Sequence, residues 1–195
     1  MPHYYSEEQQ TPSEPKEMEW SFRGRTFHFL TDRGVFSKDR LDYGTYVLLD
    51  TVIDEVEAPF LDLGCGYGPV GVVVGSLRNI SVDMSDVNRR ALSLAEKNAK
   101  RHQVDANIFY SDGFDHNERL YKSILLNPPI RAGKDTVYRL LRESYDHLLP
   151  GGSLYIVIQK KQGLASAKKY LLTFFDEAQT LERSAGFHVL KLNKK

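Results

Sequence analysis

The chain has 195 residues, of which 41% are hydrophobic and 27% charged, a composition typical of one globular domain with a real core. Its 26 basic and 26 acidic side chains cancel, so no overall positive field points to nucleic acid, and no apolar run is long enough to span a membrane. The single cysteine, Cys65, excludes an internal disulfide, and without a secretory signal we expect a soluble, cytoplasmic protein.

The first part of the chain is polar. Residues 1–18 contain prolines and no periodic apolar pattern, so we expect a flexible N-terminal arm. Large apolar side chains then flank Arg23-Gly24-Arg25, a pattern that predicts a β-hairpin closed by a glycine turn. We expect residues 19–58 to form this hairpin and a helix, in front of a core of residues 59–195 within a single domain.

Asp42-Tyr43-Gly44-Thr45 precedes the predicted helix of this N-terminal part. Aspartate is a good helix cap, because its side-chain oxygen accepts a hydrogen bond from one of the first free N–H groups. The same segment is equally placed to line a cofactor pocket. The sequence leaves both roles open.

The core opens with a stretch that reads as a buried strand, a glycine turn and the start of a helix, from Phe60 to Gly71. Glycines at alternate positions, Gly64, Gly66 and Gly68, let the backbone turn tightly and approach a ligand with no Cβ in the way. Pro69 suits the first turn of the helix. We therefore expect a nucleoside cofactor at this turn.

The turn fits nicotinamide cofactors as well as other cofactors that contain a nucleoside. Gly66, Gly68 and Gly71 satisfy the G-x-G-x-x-G spacing of nicotinamide-binding folds. An acidic residue about 20 residues further on would hold the ribose hydroxyls in either class, and Asp86 lies there. The turn and Asp86 alone leave the cofactor class open.

Strands and helices alternate through the rest of the core. Apolar patterns predict strands at residues 80–84, 108–110, 123–126, 154–158 and 187–192, and helices at residues 88–102, 135–149 and 164–175. This alternation indicates an α/β fold with a Rossmann-like, mostly parallel sheet, helices on both faces, and ligands at the carboxyl ends of the strands. Asp112 follows one such strand, where it either accepts from an adenine amine or forms an Asp-Gly turn with Gly113.

The predicted strand at residues 123–126 leads into Asn127-Pro128-Pro129-Ile130. This loop resembles that of methyltransferases which act on a nitrogen conjugated to a planar group. Such a nitrogen is a poor nucleophile, because its lone pair is delocalised. If the Asn127 side-chain oxygen and the Pro128 carbonyl accepted its N–H bonds, they would orient the nitrogen and favour a tetrahedral lone pair. Two prolines stiffen such a loop and donate no N–H, so its carbonyls stay available. The competing interpretation is an ordinary Asn-Pro turn.

Together with Asp62-Leu63-Gly64-Cys65-Gly66, this loop resembles the class I S-adenosylmethionine-dependent methyltransferases that act on planar nitrogens. Over roughly residues 20–193 the chain is similar to the small-subunit (16S) ribosomal RNA guanine-N2 methyltransferase family. The segments that carry this resemblance are residues 34–37, 42–45, 62–71, 86–88, 127–134 and 159–163. The string Asn-Pro-Pro-Ile-Arg-Ala-Gly-Lys is its most specific part.

The resemblance implies a seven-stranded sheet with the last strand antiparallel, S-adenosylmethionine as cofactor, and a guanine N2 amine in 16S ribosomal RNA as acceptor. The implied partner is ribosomal RNA or the small ribosomal subunit, with no membrane and no metal. The implied cofactor-binding residues are Asp62, Gly64, Cys65, Gly66, Gly68, Asp86, Val87, Asp112, Gly113 and Asn127. The implied catalytic residues are Asn127, Pro128, Pro129 and Ile130, and the substrate-binding candidates are Phe36, Arg131, Lys134, Lys160 and Lys161.

Ile130 bears on the choice of acceptor. Relatives that methylate glutamine in release factors usually carry tyrosine here, which stacks on a planar group, whereas isoleucine offers a flat apolar contact. A ribosomal RNA guanine is therefore the first hypothesis and a protein glutamine amide the second. A nicotinamide oxidoreductase and a non-catalytic RNA-binding module rank behind them, because the chain has no Tyr-x-x-x-Lys pair and keeps its Asn-Pro-Pro loop.

Overall fold

The structure is a computed structural model that describes residues 12–35 and 41–195. Most of the predicted arm, residues 1–11, lies outside the described residues, and so does Phe36. The predicted end of the arm at residue 18 is wrong, because a strand already begins at Lys16 and Met18 within it is only 8% exposed. The apolar side chain of Met18 joins the core, so the folded part starts before the sequence pattern indicates.

An antiparallel hairpin precedes the main sheet and consists of β1 (Lys16–Phe22) and β2 (Arg25–Thr31). Its two turn residues, Arg23 and Gly24, have φ values of 47° and 76°. Positive φ at both positions is the geometry of a type I′ turn, whose twist matches that of the strands. The predicted hairpin with a glycine turn is confirmed.

The main sheet has seven strands in the order β5-β4-β3-β6-β7-β9-β8. Neighbouring strands from β5 through β7 pair in parallel, whereas β9 is antiparallel to both β7 and β8. The predicted fold class, a mostly parallel Rossmann-like sheet with the last strand antiparallel, is confirmed. The bounds are β3 (Phe60–Leu63), β4 (Val82–Asp86), β5 (Ala106–Tyr110), β6 (Tyr121–Leu126), β7 (Leu148–Gln159), β8 (Gln179–Ser184) and β9 (Phe187–Asn193).

Helices cover both faces of the sheet, as predicted. Their bounds are α1 (Tyr43–Val52), α2 (Pro69–Arg78), α3 (Arg89–Arg101), α4 (Lys134–Asp146) and α5 (Leu164–Leu171). One core cluster joins the hairpin, α1, α2 and α3 to the sheet, and a second joins α4 and α5 to the opposite face. None of the helices in the described ranges is long and apolar enough to cross a membrane.

Several boundaries differ from the predicted ones. Helix α4 ends at Asp146, before the predicted Leu149, because Pro150-Gly151-Gly152 is part of β7 and not a helix stop. The backbone N–H of Gly151 donates to the carbonyl of Lys194 at 2.8 Å, so this glycine pair is held by the segment that follows β9. Helix α5 ends at Leu171, not at Phe175, and β8 was not predicted at all.

One buried amide ties the hairpin to the glycine turn. The Asn98 side chain on α3 donates to the carbonyls of Leu30 at 3.0 Å and Tyr67 at 2.8 Å, and it accepts from the N–H of Leu30 at 2.7 Å. Asn98 is fully buried, so each of these groups would lack a partner without it. The hairpin and α3 therefore form one wall behind the turn.

Candidate active site

The glycine turn connects β3 to α2 at the carboxyl end of the sheet. Gly64, Gly66 and Gly68 have φ values of 73°, 57° and 91°, which a residue with a side chain adopts only under strain. The N–H groups of Gly64 and Cys65 both donate to the carbonyl of Ser85 at 2.9 Å, which holds the turn against β4. Gly68 is the N-cap of α2 and Pro69 its first residue, as predicted.

Asp86 ends β4 and links two loops. Its Oδ2 accepts from the N–H of Gly66 at 2.8 Å, and its Oδ1 accepts from the N–H of Asn88 at 2.8 Å. Burial raises the pKa of this carboxyl above its ordinary range. The predicted acidic residue therefore lies beside the turn and fixes its shape.

Asp62 lies under the turn on β3 and is only 4% exposed. Its Oδ2 accepts from the N–H of Gly71 at 2.9 Å, which fastens the first turn of α2 to the sheet. Burial raises the pKa of Asp62 to about 7, and the nearby charge of Asp86 adds to the rise. At neutral pH the site therefore contains a carboxyl group poised between its two protonation states.

A cavity opens at this end of the sheet between the turn, the segment before α1 and the loop after β6. It brings together ten of the predicted site residues: Asp62, Gly64, Cys65, Gly66, Asp86, Val87, Gly113, Asn127, Pro128 and Pro129. Asp42 and Thr45 line the same cavity, so the segment before α1 has both roles that the sequence left open. Burial raises the pKa of the Cys65 thiol well above its usual value, so Cys65 is a packing residue and not a nucleophile.

The lining of the cavity fits S-adenosylmethionine, the cofactor that the resemblance implies. A Cβ built on Gly64 or Gly66 would meet no atom within 4 Å, so the turn presents bare backbone to open space. The Tyr67 hydroxyl is buried and has no hydrogen-bond partner among the described residues. Burial, and then the charge of Asp42, raise the pKa of Tyr67, so the hydroxyl keeps its proton for a ligand.

Asn127 follows β6 and reaches across the cavity to α1. Its Nδ2 donates to Asp42 Oδ2 at 3.0 Å and to Thr45 Oγ1 at 3.0 Å. Its Oδ1 has no hydrogen-bond donor among the described residues. The amide is thus held by its nitrogen, and its oxygen remains an acceptor.

The next two residues form a stiff turn. Pro129 has φ −75° and ψ 75°, close to an inverse γ-turn, and the N–H of Ile130 donates to the carbonyl of Pro128 at 2.8 Å. A carbonyl oxygen has two lone pairs, so the Pro128 carbonyl retains one for an acceptor amine. The sequence predicted a stiff loop but not this internal hydrogen bond.

Two predicted cofactor-binding residues do not line the cavity. Gly68 packs against Ala95 and Met84, where it lets α2 and α3 approach closely. The Asp112 carboxylate pairs with Arg139 on α4, which also pairs with Glu143. The predicted contact of Asp112 with an adenine amine stays a prediction, and it would require the Arg139 pair to open or to share the carboxylate.

Ile130, predicted to be catalytic, does not line the cavity, and neither do the four described residues predicted to bind substrate, Arg131, Lys134, Lys160 and Lys161. Ile130 and Arg131 lie in a short 3-10 helix, residues 130–132, and Lys134 begins α4. Lys160 and Lys161 are exposed in a second short 3-10 helix that follows β7. These side chains lie near the carboxyl edge of the sheet, as their sequence positions implied.

Some lining residues were missed by the sequence reasoning, notably Tyr67, Asn88 and Ser111. Tyr67 lies within the glycine stretch, and its position between two glycines of the turn was the available signal. Asn88 caps α3 through a hydrogen bond from the N–H of Ala91 at 3.1 Å, and its amide donates to the carbonyl of Gly34 at 3.0 Å. Among the described residues no group of three or more His, Cys, Asp or Glu side chains is arranged to hold a metal ion.

Several solved structures share this architecture. The 16S ribosomal RNA guanine-N2 methyltransferase RsmC of Thermus thermophilus, solved with AdoMet and guanosine, aligns with a TM-score of 0.84 over 94% of this chain and 52% of that chain, at 23% identity. A methyltransferase from Pyrococcus furiosus aligns with a TM-score of 0.66 over 76% of this chain and 80% of that chain, at 22% identity. At such identities the likeness shows the fold.

Sequence comparison identifies the family. The family model for the methyltransferase small domain matches residues 26–191, and the chain therefore belongs to this family. The uncharacterized protein YbxB of Bacillus subtilis is 40% identical over 98% of both chains. Ribosomal RNA small subunit methyltransferase C of Mannheimia succiniciproducens is 42% identical over 64% of this chain and 39% of its own length. The chain thus spans less than half of that curated relative, and the predicted methyltransferase family is confirmed.

Proposed function

We propose that this protein is an S-adenosylmethionine-dependent methyltransferase that acts on the N2 amine of a guanine in 16S ribosomal RNA. The observation that carries the proposal is the orientation of Asn127, whose amide nitrogen is held by α1 and whose oxygen stays an acceptor. The names of the relatives and the fold neighbour support the same substrate class.

The turn and its acids would hold the cofactor. The bare backbone at Gly64 and Gly66 would admit its methionine part, with the Tyr67 hydroxyl as a hydrogen-bond donor. Asp86 would accept from ribose hydroxyls, while Asp62 would place negative charge beneath a cationic ligand. The bound cofactor supplies an electrophilic methyl group on a positively charged sulfur.

The Asn-Pro-Pro loop would hold the acceptor. Asn127 Oδ1 and the second lone pair of the Pro128 carbonyl would each accept one N–H of the guanine amine. These two bonds orient the nitrogen and localise its lone pair, which then faces the methyl group for direct in-line transfer. Methyl transfer increases the acidity of the amine, so its proton can leave to water without a dedicated base.

Positive charge outside the cavity would bind the RNA backbone. Lys160, Lys161 and Arg183 are exposed, and none of them forms an ion pair with a carboxylate in the part of the chain that the structure describes. Burial, and then the charges of Arg183, Lys168 and Lys160, lower the pKa of His188 on β9. Uncompensated cations therefore gather at the carboxyl end of β7, and Arg131 and Lys134 follow the Asn-Pro-Pro loop in the chain.

The acceptor base would have to leave its stack to reach Asn127. A guanine that is paired or stacked in the mature subunit must be flipped out, or it must be caught on an assembly intermediate. Ile130 follows the loop, is partly buried, and would offer the flipped base an apolar contact. A protein glutamine amide presents the same two N–H bonds, so it is the second candidate acceptor.

The test is mass spectrometry of nucleosides from small-subunit ribosomal RNA, comparing cells with and without this gene. Loss of N2-methylguanosine, and its recovery when purified protein and S-adenosylmethionine are added to the deficient subunits, is the expected result. Small subunits, naked RNA and assembly intermediates are tested as separate substrates. If none of the three gains a methyl group, the guanine proposal is wrong, and release-factor glutamine becomes the acceptor to examine.

A further inference from the structure

Two residues from a distant part of the chain hold the side-chain amide of Asn127. Its two amide hydrogens point at two different acceptors, Asp42 Oδ2 and Thr45 Oγ1, each 3.0 Å from Nδ2. These partners lie 85 and 82 residues earlier in the chain, at the start of α1. Thr45 is only 6% exposed, so these bonds are shielded from water on that side.

In this arrangement both partners accept a hydrogen bond from the amide. Asp42 is a carboxylate, and the Thr45 hydroxyl donates its single hydrogen to Asp42 Oδ2 at 3.3 Å. Thr45 Oγ1 therefore offers Asn127 a lone pair and no proton. If the amide rotated by half a turn, its oxygen would face the Asp42 carboxylate and that hydrogen bond would be lost. Thr45 could then donate to the rotated oxygen only by giving up its own bond to Asp42.

This arrangement decides which atom of Asn127 faces the reacting amine. The oxygen and nitrogen of an amide have nearly the same shape, so the surroundings must determine which one points into the cavity. The N–H bonds of the amine require an acceptor. In a rotated Asn127 the NH2 group would face the amine, so that two hydrogen-bond donors would meet. A loop that only positioned the backbone of Asn127 would leave this choice open.

We propose that Asp42 and Thr45 are positioning residues for methyl transfer, which fix the polarity of the Asn127 amide so that Oδ1 faces the acceptor amine. This inference rests on the proposed function, because the amine is the group that Oδ1 would accept from. Neither residue touches the amine itself. They act through Asn127.

A purely structural role makes a different prediction. Asp42 is also the N-cap of α1, since Oδ2 accepts from the N–H of Thr45 at 2.9 Å. Serine is a comparably good cap, but its shorter side chain does not reach Asn127. Asp42→Ser therefore keeps the helix cap and removes the acceptor, which separates the two roles.

Substitutions of Thr45 provide a second way to separate a positioning role from a structural one. Thr45→Val keeps the shape of the side chain and removes the hydroxyl, whereas Thr45→Ser keeps the hydroxyl. Thr51→Val is the matched control, because the Thr51 hydroxyl donates to the carbonyl of Val47 within the same helix and lies away from Asn127. We expect kcat to fall about a hundredfold in Asp42→Ser and about tenfold in Thr45→Val, as for loss of a charged and a neutral hydrogen bond.

Because both residues also line the cavity, the cofactor KM should rise, but by less than kcat falls. The melting temperature should stay within a few degrees, and Thr45→Ser should regain most of the lost kcat. If Thr45→Val turns over as fast as Thr51→Val, or if Asp42→Ser raises the cofactor KM as much as it lowers kcat, the proposal is overturned.

A second readout needs no catalysis. In nitrogen-15 NMR spectra, the side-chain amide of Asn127 is identified by its absence from Asn127→Ala. Its two protons should exchange with water at least about tenfold more slowly than those of the exposed Asn79, and this protection should disappear in Asp42→Ser. Exchange as fast as that of Asn79 in the unsubstituted protein overturns the inference. If the protein transfers no methyl group to guanine, the proposed function fails while the amide signals still decide whether Asn127 is held in this way.

Discussion

The two sides of the cavity are built differently. The glycine turn is held by residues of neighbouring strands: Ser85 and Asp86 on β4 bond the turn directly. The Asn-Pro-Pro loop has a stiff backbone of its own. The side chain of Asn127, however, is held from a distant part of the chain, at the start of α1. Changes in Asp42 or Thr45 should therefore disturb the acceptor side more than the cofactor side.

The largest effect should follow from Asn127→Ala. Loss of the amide oxygen removes one of the two acceptors for the amine, so we expect methyl transfer to fall by roughly 10³-fold. Binding of S-adenosylhomocysteine, measured by calorimetry, should change by less than about threefold, because the turn and its acids remain. Asn107→Ala, at the exposed position of edge strand β5, is the control. Full turnover in Asn127→Ala would contradict the mechanism.

Asp86→Ala should disturb the opposite side. The Asp86 carboxylate bonds Gly66 and Asn88 and is placed for ribose hydroxyls, so cofactor affinity should fall by roughly 10²-fold. Saturating cofactor should restore much of kcat, since Asn127 is still held by α1. Asp115→Ala, which removes an exposed carboxyl, controls for the change in charge. Unchanged affinity in Asp86→Ala would refute its role in the cofactor site.

Binding of S-adenosylmethionine should be coupled to the release of a proton from Asp62. Burial gives Asp62 a pKa of about 7 in the folded protein, so below that pH the group is mostly neutral. A cationic sulfonium favours the ionised carboxyl, and the affinity for S-adenosylmethionine should rise by up to about tenfold between pH 6 and pH 8. S-adenosylhomocysteine has a neutral sulfur and should show a weaker dependence. Equal pH profiles for the two ligands would exclude this linkage.

Asp62→Asn provides the control for that experiment. Because the folded pKa lies above the unfolded one, the neutral carboxyl stabilises the fold at low pH, and this contribution is lost as the pH rises through about 7. Asparagine retains an oxygen for the N–H of Gly71 and cannot ionise. The melting temperature of the Asp62→Asn variant should therefore fall less between pH 6 and pH 8 than that of the unsubstituted protein.

The smallest effect is expected outside the cavity. Lys160→Ala combined with Lys161→Ala removes two exposed cations, and the affinity for ribosomal RNA should fall about tenfold at low salt. The slope of log affinity against log salt should decrease by about 1 to 2. Lys97→Ala with Lys100→Ala removes two exposed cations from α3 and is the matched control. Equal losses in both pairs would mean that the charge beside the cavity has no special role.

The same contrast explains what the sequence could predict. Three features could be predicted from residue spacing and strand order: the glycine turn, Asp86 and the stiff Asn-Pro-Pro loop. Each of them depends on residues that are close in sequence or that lie on adjacent parallel strands. The contact of Asp42 with Asn127 depends on where α1 docks, which no local pattern encodes. Likewise, the pairing of Asp112 with Arg139 needs α4 in place, 27 residues further along.

Strand β8 shows another limit of sequence reasoning. It is a sheet edge with a single aliphatic side chain, Leu181, and a register shift lies between Thr180 and Glu182. An edge strand is not buried on both faces, so it lacks the apolar run that marks β6 or β7. The count of seven strands followed from the family resemblance, and the position of β8 did not follow from its residues.

The placement of β9 has a consequence for how the chain folds. This strand follows β8 in the chain but lies between β7 and β8 in the sheet. Strand β8 therefore has no partner in the sheet until residues 187–193 have been synthesised and have inserted beside it. Because Gly44 of α1 packs on Phe187 of that strand, the helix that orients Asn127 also gains a neighbour only then. A nascent chain would thus complete its glycine turn before it completed its acceptor site.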